Sequence, residues 1–386
     1  MSIRTIILAA VASLSIAGTG LGQFWKPPYT ELTATGGSSG DGFGSSVAID
    51  GSTCVIGAPG GTSGAGSAYV FTNTSGTWSQ VAELTTTGGA SYDYFGSSVA
   101  IDGSTCVIGA TGTDSGTGSA YVFTNTGGTW SQVQTLTATG GAIYDNFGDS
   151  IDLDGDTCVI GAYGTNSSAG SAYVFTNTGG TWSQVAELTA TGGASNDYFG
   201  QTVAIDGSTC VIGAPGTDSF TGSAYVFTNT GGTWSQVAEL TATGGASNDQ
   251  FGQTVAIDGS TCVIGATGTG SAYVFTNTGG TWSQAEELTA TGGASGNQFG
   301  DSVAIDGNTC VIGAWGTNSN TGSAYVFANF PSRWSQIAVL TAIGGASGDN
   351  FSFSVAIDGD TCVIGASGTD SSTGSAYVYD SVATGA

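Results

Sequence analysis

The chain has 386 residues, of which 68 are glycine and 5 proline, and it carries 28 acidic side chains against 3 basic ones and no histidine. A net charge of −25 excludes nucleic acid and anionic membrane surfaces as partners, since both are held by lysine and arginine. The missing imidazole excludes Ser-His-Asp and Cys-His catalysis and histidine metal sites, and 39% hydrophobic against 8% charged residues excludes intrinsic disorder.

Taken in chain order, Arg4, the apolar run 6–18 and the small residues of Gly20-Leu21-Gly22 form an export signal, residues 1–22, cut before Gln23. The run is too short to span a bilayer, and no later segment approaches the roughly 20 apolar residues a span needs, so no membrane insertion is expected. The mature chain, residues 23–386, reads as one exported domain that keeps two cations, Lys26 and Arg333. Its first segment contains Glu31-Leu32-Thr33-Ala34-Thr35, a copy of the later Glu187-Leu188-Thr189-Ala190-Thr191.

Cysteines then follow at 54, 106, 158, 210, 262, 310 and 362, with spacings of 52 broken once by 48. Seven copies of one unit of about 50 residues are the signature of propeller blades. The fourth copy shows the unit: a first β-type run from Phe199-Gly200 to Ile205, then Asp206-Gly207, a second run around Cys210-Val211-Ile212-Gly213-Ala214, a third over Gly222-Ser223-Ala224-Tyr225-Val226-Phe227, a Thr-Asn-Thr-Gly-Gly turn, and a fourth from Trp234 to Leu240. The runs are short, β-branched or aromatic, and bounded by turn residues, with no 3.6-residue apolar period. The Asp-Gly of every copy predicts a tight hairpin with a type I′ turn. The chain ends after a third-type run, Ser375 to Tyr379, and begins with a fourth-type run. The expected fold is therefore all-β, a seven-bladed propeller of four antiparallel strands per blade, with the N-terminal strand closing the last blade and leaving no open sheet edge.

Phe43-Gly44 with Gly57-Ala58-Pro59, and Phe199-Gly200 with Gly213-Ala214-Pro215, resemble the FG-GAP repeats of the integrin α-chain head. That resemblance covers the whole mature chain and implies a seven-bladed propeller in extracellular adhesion or ligand recognition. The sequence departs from the pattern where the proline becomes Thr111, Tyr163, Thr267, Trp315 or Ser367, and where the last copy has Phe351-Ser352. Blades of the integrin type often carry an Asp-x-Asp-x-Asp-Gly calcium loop between the first two strands. Here that loop is cut to Asp-Gly, too few oxygens for a calcium ion. The nearest approach to it, and the candidate calcium set, is Asp152, Asp154 and Asp156 around Gly155.

One cysteine per copy, always in the second strand, reads as a buried thiol, because equivalent positions in neighbouring blades lie beyond disulfide reach. The recurring Trp78, Trp130, Trp182, Trp234, Trp282 and Trp334 read as packing residues rather than a carbohydrate platform. Loops from strand two to three and from four to one share a face and vary among copies, whereas the opposite connections are short and nearly constant. Binding is therefore expected on the first face, with Trp315, Phe220, Asp218, Asp197 and Asp249 as candidate contacts. Aspartates 93, 145, 197, 249 and 349 recur there, and turn capping also accounts for them. No carboxylate pair is marked for acid-base chemistry, so no catalysis is expected. The leading reading is a monomeric adhesion or recognition module for an extracellular protein or glycan; the alternatives are a calcium-assisted carbohydrate-binding protein and a purely structural surface component.

Overall fold

The computed structural model describes residues 23–25, 29–294, 296–330 and 333–383; the export signal and Lys26 lie outside them. Seven antiparallel sheets follow one another along the chain, in residues 46–84, 95–136, 151–188, 202–240, 251–288, 303–340 and 351–383, called blades 1 to 7. In blade 4 the strands are Thr202–Asp206, Thr209–Ala214, Ser223–Thr230 and Thr233–Leu240, paired in that order.

Two turns differ from expectation by a residue or more. Asp206 is the last paired residue of its hairpin, opposite Thr209, so the loop is Gly207-Ser208, with positive φ at the glycine but not at the serine. That is the pattern of a type II′ rather than a type I′ turn. The third strand instead runs on through Thr-Asn-Thr to pair Thr230 with Thr233, leaving Gly231-Gly232, both left-handed, as the type I′ turn. Asn229 Oδ1 accepts the Gly232 N–H at 2.9 Å, which explains the asparagine.

The core lies between blades rather than within them. Along each second strand the residues alternate sides: Cys210, Ile212 and Ala214 pack with Val159, Val174 and Leu188 of blade 3, while Val211 packs with Val255, Ile257 and Cys262 of blade 5. Seven such clusters close the ring. All seven cysteines are free and buried within them, and burial raises their thiols far above the ordinary range.

The recurring Phe-Gly and Gly-Ala dipeptides meet across these interfaces. Phe199 is fully buried, its N–H donates to Ala169 O of blade 3 at 3.1 Å, and its ring packs edge-on against Phe227 at 5.9 Å. A Cβ placed on Gly213 would stand 2.0 Å from the carbonyl oxygen of Gly252, so two backbones approach there as only glycine permits. In blade 7 the second residue of the pair is Ser352, left-handed at φ 72. Its Oγ donates to Ser323 O at 2.7 Å and accepts the Ala314 N–H at 2.9 Å. These are the groups that crowd the equivalent glycines, so hydrogen bonds offset the conformational cost.

Closure follows the expected route. Thr30–Leu32 pairs with the last strand, Glu31 opposite Tyr377 and Leu32 opposite Ala376, as the fourth strand of blade 7. Glu31 accepts from Ser375 Oγ at 2.9 Å and Tyr377 OH at 3.2 Å, and Leu32 enters the cluster joining blades 7 and 1. An additional short strand, Gln23–Trp25, pairs with the end of the same last strand. The fourth strands form the outer rim, where a register shift opposite Val226 and Phe227, repeated in other blades, twists the edge and blunts further pairing.

Candidate functional site

The ring presents two faces of different character. On the hairpin face, the seven aspartates that end the first strands surround the channel mouth. Each accepts the N–H of the hairpin glycine in the following blade, from Gly103 to Asp50 at 2.6 Å, through Gly207 to Asp154, to Gly51 to Asp358 across the closure. These carboxylates are thus fastened to their neighbours.

Asp154 belongs to this ring, which settles how the candidate calcium set is arranged. Asp152 Oδ2 accepts the Ile205 N–H of blade 4 at 2.7 Å and its Oδ1 the Leu153 N–H at 2.9 Å. Asp156 Oδ1 accepts from Asn177 Nδ2 at 3.0 Å. Each carboxylate serves a separate protein donor. Among the described residues no group of three or more acidic, cysteine or histidine side chains is placed to hold a metal ion, so the three do not fit the calcium loop that the resemblance suggested.

Asp152 instead lines the central channel, a cavity of about 510 Å³, at a position where the other six blades have alanine. Burial pushes its carboxyl up to about 7 against the two N–H bonds that lower it, with Asp154 and Asp206 adding to the rise. Burial alone pushes Asp149 up to about 6. A raised carboxyl favours the fold while protonated. Its contribution is full below the unfolded value of 3.8 and is lost as pH rises through about 7. Asp152→Ala is therefore expected to be less stable than the native chain near pH 4, where its hydrogen bonds are lost, and more stable by about 2 kcal/mol near pH 8. Urea denaturation across that range measures the crossing; parallel curves would refute the assignment.

The opposite face is built by the two-to-three and four-to-one loops. In blade 4 the first of these is a tight turn, Thr217–Phe220, in which Asp218, Ser219 and Phe220 are all left-handed. Thr217 Oγ1 ties it down, donating to Ser223 Oγ at 2.9 Å and standing 3.3 Å from Ala214 O. Blades 2, 3, 6 and 7 repeat this geometry with Asp or Asn leading, residues that tolerate it best. Blade 5 shortens the connection to a turn at Thr267 to Gly270.

The predicted contacts divide on this face. Asp197 and Asp249 accept the N–H of Ala194 at 2.7 Å and Ala246 at 2.6 Å, and Asp93, Asp145 and Asp349 do the same in their loops. They are caps of their own turns. Asp218 is exposed, and its carbonyl accepts from Thr221 Oγ1 at 2.9 Å. Phe220 is 37% exposed and leans on Tyr198 at 6.2 Å. Trp315 is half-buried, its Nε1 donating to Asp301 Oδ2 at 2.8 Å; burial raises that carboxyl while the indole bond lowers it. Phe353, 40% exposed, lines the channel near Asp301.

Sequence reading missed a set of tyrosines. Tyr92 and Tyr144 are 68% and 70% exposed, Tyr94 packs beside Tyr92 at 6.2 Å, and Tyr163 beside Tyr198 at 6.2 Å. The available signal was a break in the repeat. Where blades 2 and 3 have Tyr92 and Tyr144, the others have Gly40, Asn196, Asn248, Gly296 and Gly348.

The FG-GAP repeat pattern matches residues 29–71, 78–123, 130–175, 182–227, 234–275, 282–327 and 334–379. No curated protein matches the chain. Among solved structures, a "putative 6-phosphogluconolactonase" from Bacteroides uniformis is 15% identical with a TM-score of 0.59, covering 84% of this chain and 90% of its own. Sqt1 of Saccharomyces cerevisiae is 13% identical with a TM-score of 0.48, covering 88% and 82% respectively. At 15% identity the first of these likenesses speaks to fold alone. Among the described residues no helix is long and apolar enough to cross a membrane.

Proposed function

We propose that this chain, which belongs to the FG-GAP repeat family, is an extracellular, non-catalytic recognition module that binds a protein or glycan through the loop face. One observation carries this reading: apart from blade 6, where Phe330 breaks the third turn, the blades repeat each other on the hairpin face, whereas they diverge in several blades on the loop face, where a set of aromatic side chains stands exposed. Divergence within near-identical repeats marks the surface freed from the packing requirement. The carboxylates of the four-to-one loops serve as turn caps, which argues for binding rather than acid-base chemistry there.

The buried thiols supply a clean test. A cysteine introduced at Asp218 on the loop face, or at Ser104 on the hairpin face, is the one group expected to take up a bulky maleimide polymer in the native protein. Retention on a panel of extracellular proteins and polysaccharides is expected to be lost only with the loop-face label. Loss with the hairpin-face label alone would refute the assignment of the binding face.

A further inference from the structure

We infer that the tyrosine arc over blades 2 to 4 is a subsite for an extended, uncharged polysaccharide, an inference that rests on the recognition reading above. The arc comprises Tyr92, Tyr94, Tyr144 and Tyr198 in the loops that lead into blades 2, 3 and 4, with Tyr163 and Phe220 in the two-to-three loops of blades 3 and 4. Five of these six hold left-handed backbone, with φ of 72, 56, 70, 58 and 64 at Tyr92, Tyr94, Tyr144, Tyr198 and Phe220. That conformation is an outlier for bulky side chains and cheap for glycine or asparagine. The same turns are built elsewhere in the ring with such residues: Gly40 and Gly42 in blade 1, Gly348 and Asn350 in blade 7, all left-handed. Folding therefore does not call for aromatic rings here, and Tyr92 and Tyr144 recover little of the cost by burial. Strain kept at exposed aromatics is the mark of a surface held for a ligand.

Charge selects the ligand class. Among the described residues no lysine or arginine lies in the arc to meet a polyanion, and the net charge of −25 repels one. Asp93, Asp145 and Asp197, which flank the rings, turn a carboxylate oxygen inward to the N–H groups of Ala90, Ala142 and Ala194, and Asp218 beside Phe220 stands exposed, so the arc presents ring faces and phenol hydroxyls with acidic but no basic charge. Flat rings rimmed by hydroxyls match the C–H faces and hydroxyls of neutral sugar rings. Their spread over three blades suits a polymer rather than a monosaccharide.

Affinity electrophoresis through gels holding xyloglucan, galactomannan, dextran or alginate tests this, with poly-arginine binding as a parallel assay. The native chain is expected to be retarded by at least one neutral polysaccharide and not by alginate. Tyr92→Asn with Tyr144→Asn is expected to weaken that retention at least tenfold without lowering the melting temperature, since asparagine suits the backbone there. Retention unchanged in this double variant, no retention by any neutral polysaccharide, or tyrosine-dependent binding of poly-arginine in its place would each overturn the inference. Retention abolished by Trp315→Ala but not by the tyrosine changes would overturn the arc while leaving the loop-face reading intact. Retention lost only with the hairpin-face label would overturn both.

Discussion

Removing residues 23–36 is expected to destabilise all seven blades together, by about 5 kcal/mol, a fall of roughly 6–7 °C in melting temperature. The deleted piece is small, but it is the outer strand of blade 7 and part of the last interface of the ring. Its loss strips Leu32 from a cluster where it is only 3% exposed, a term of about 2–3 kcal/mol. The same deletion removes the Glu31 carboxylate that accepts from Ser375 and Tyr377, each bond worth about 1 kcal/mol or more. It also takes away Tyr29, which stacks edge-on against Tyr377 at 5.1 Å. Because each blade packs only on its neighbours, an opened ring has two blades with an uncovered face, and unfolding starts there. Calorimetry of the truncated chain measures the effect, and an unchanged midpoint would refute closure by this strand. Leu32→Ala in the full chain separates packing from chain length: it is expected to cost about 3 kcal/mol, as much as Leu188→Ala in the continuous blade 3.

The second large effect is expected from one methyl group. Gly213 lies in a regular strand without positive φ, so intrinsic preference says that alanine stabilises it by about 0.5–1 kcal/mol. Packing says the reverse, because the new Cβ would fall 2.0 Å from Gly252 O and 2.4 Å from the Thr202 methyl carbon. The blades must part to admit it, and Gly213→Ala is expected to cost about 3 kcal/mol or more. Gly207→Ala is the control: it is left-handed at φ 56 with open space around its Cβ position, and its cost is expected to be only the conformational one, about 1–2 kcal/mol. Denaturant titration of the two variants compares them. If Gly213→Ala proves as stable as the native chain, the paired dipeptides are not the close contact described above.

Seven sheets, their strand order and their closure were all legible, because a period of 52 residues repeats every local signal and the two chain ends are complementary strand types. Turn details were less so. Asp-Gly reads as the centre of a hairpin, but Asp206 is needed in the ladder opposite Thr209 and as the acceptor for Gly259 N–H of the next blade, and this displaces the turn by one residue. An interaction between repeats is invisible when each repeat is read alone. The candidate site suffered the same way. Asp197 and Asp249 stood out as recurrent acids, yet recurrence reflected a backbone duty inside the loop. Trp315 stood out as an aromatic exception, but its indole is engaged by Asp301, a neighbour only in the folded ring. The tyrosines that replace glycine and asparagine were legible in principle; their meaning depends on backbone angles, which side-chain type alone does not reveal.

The carboxylate-to-glycine bonds around the hairpin face run in one sense, each blade receiving from the blade that follows it. Such a contact is head-to-tail, and every copy presents the same two complementary sides. Asp152 between blades 3 and 4 and Ser352 between blades 6 and 7 add bonds of their own, but the carboxylate-to-glycine contact itself is indifferent to which blades it joins. The chain interrupts that indifference at one point, where its first strand seals its last sheet. A chain whose first strand left its own socket for that of another copy would keep both plug and socket, so the same geometry that makes a ring from one chain would make a filament from many.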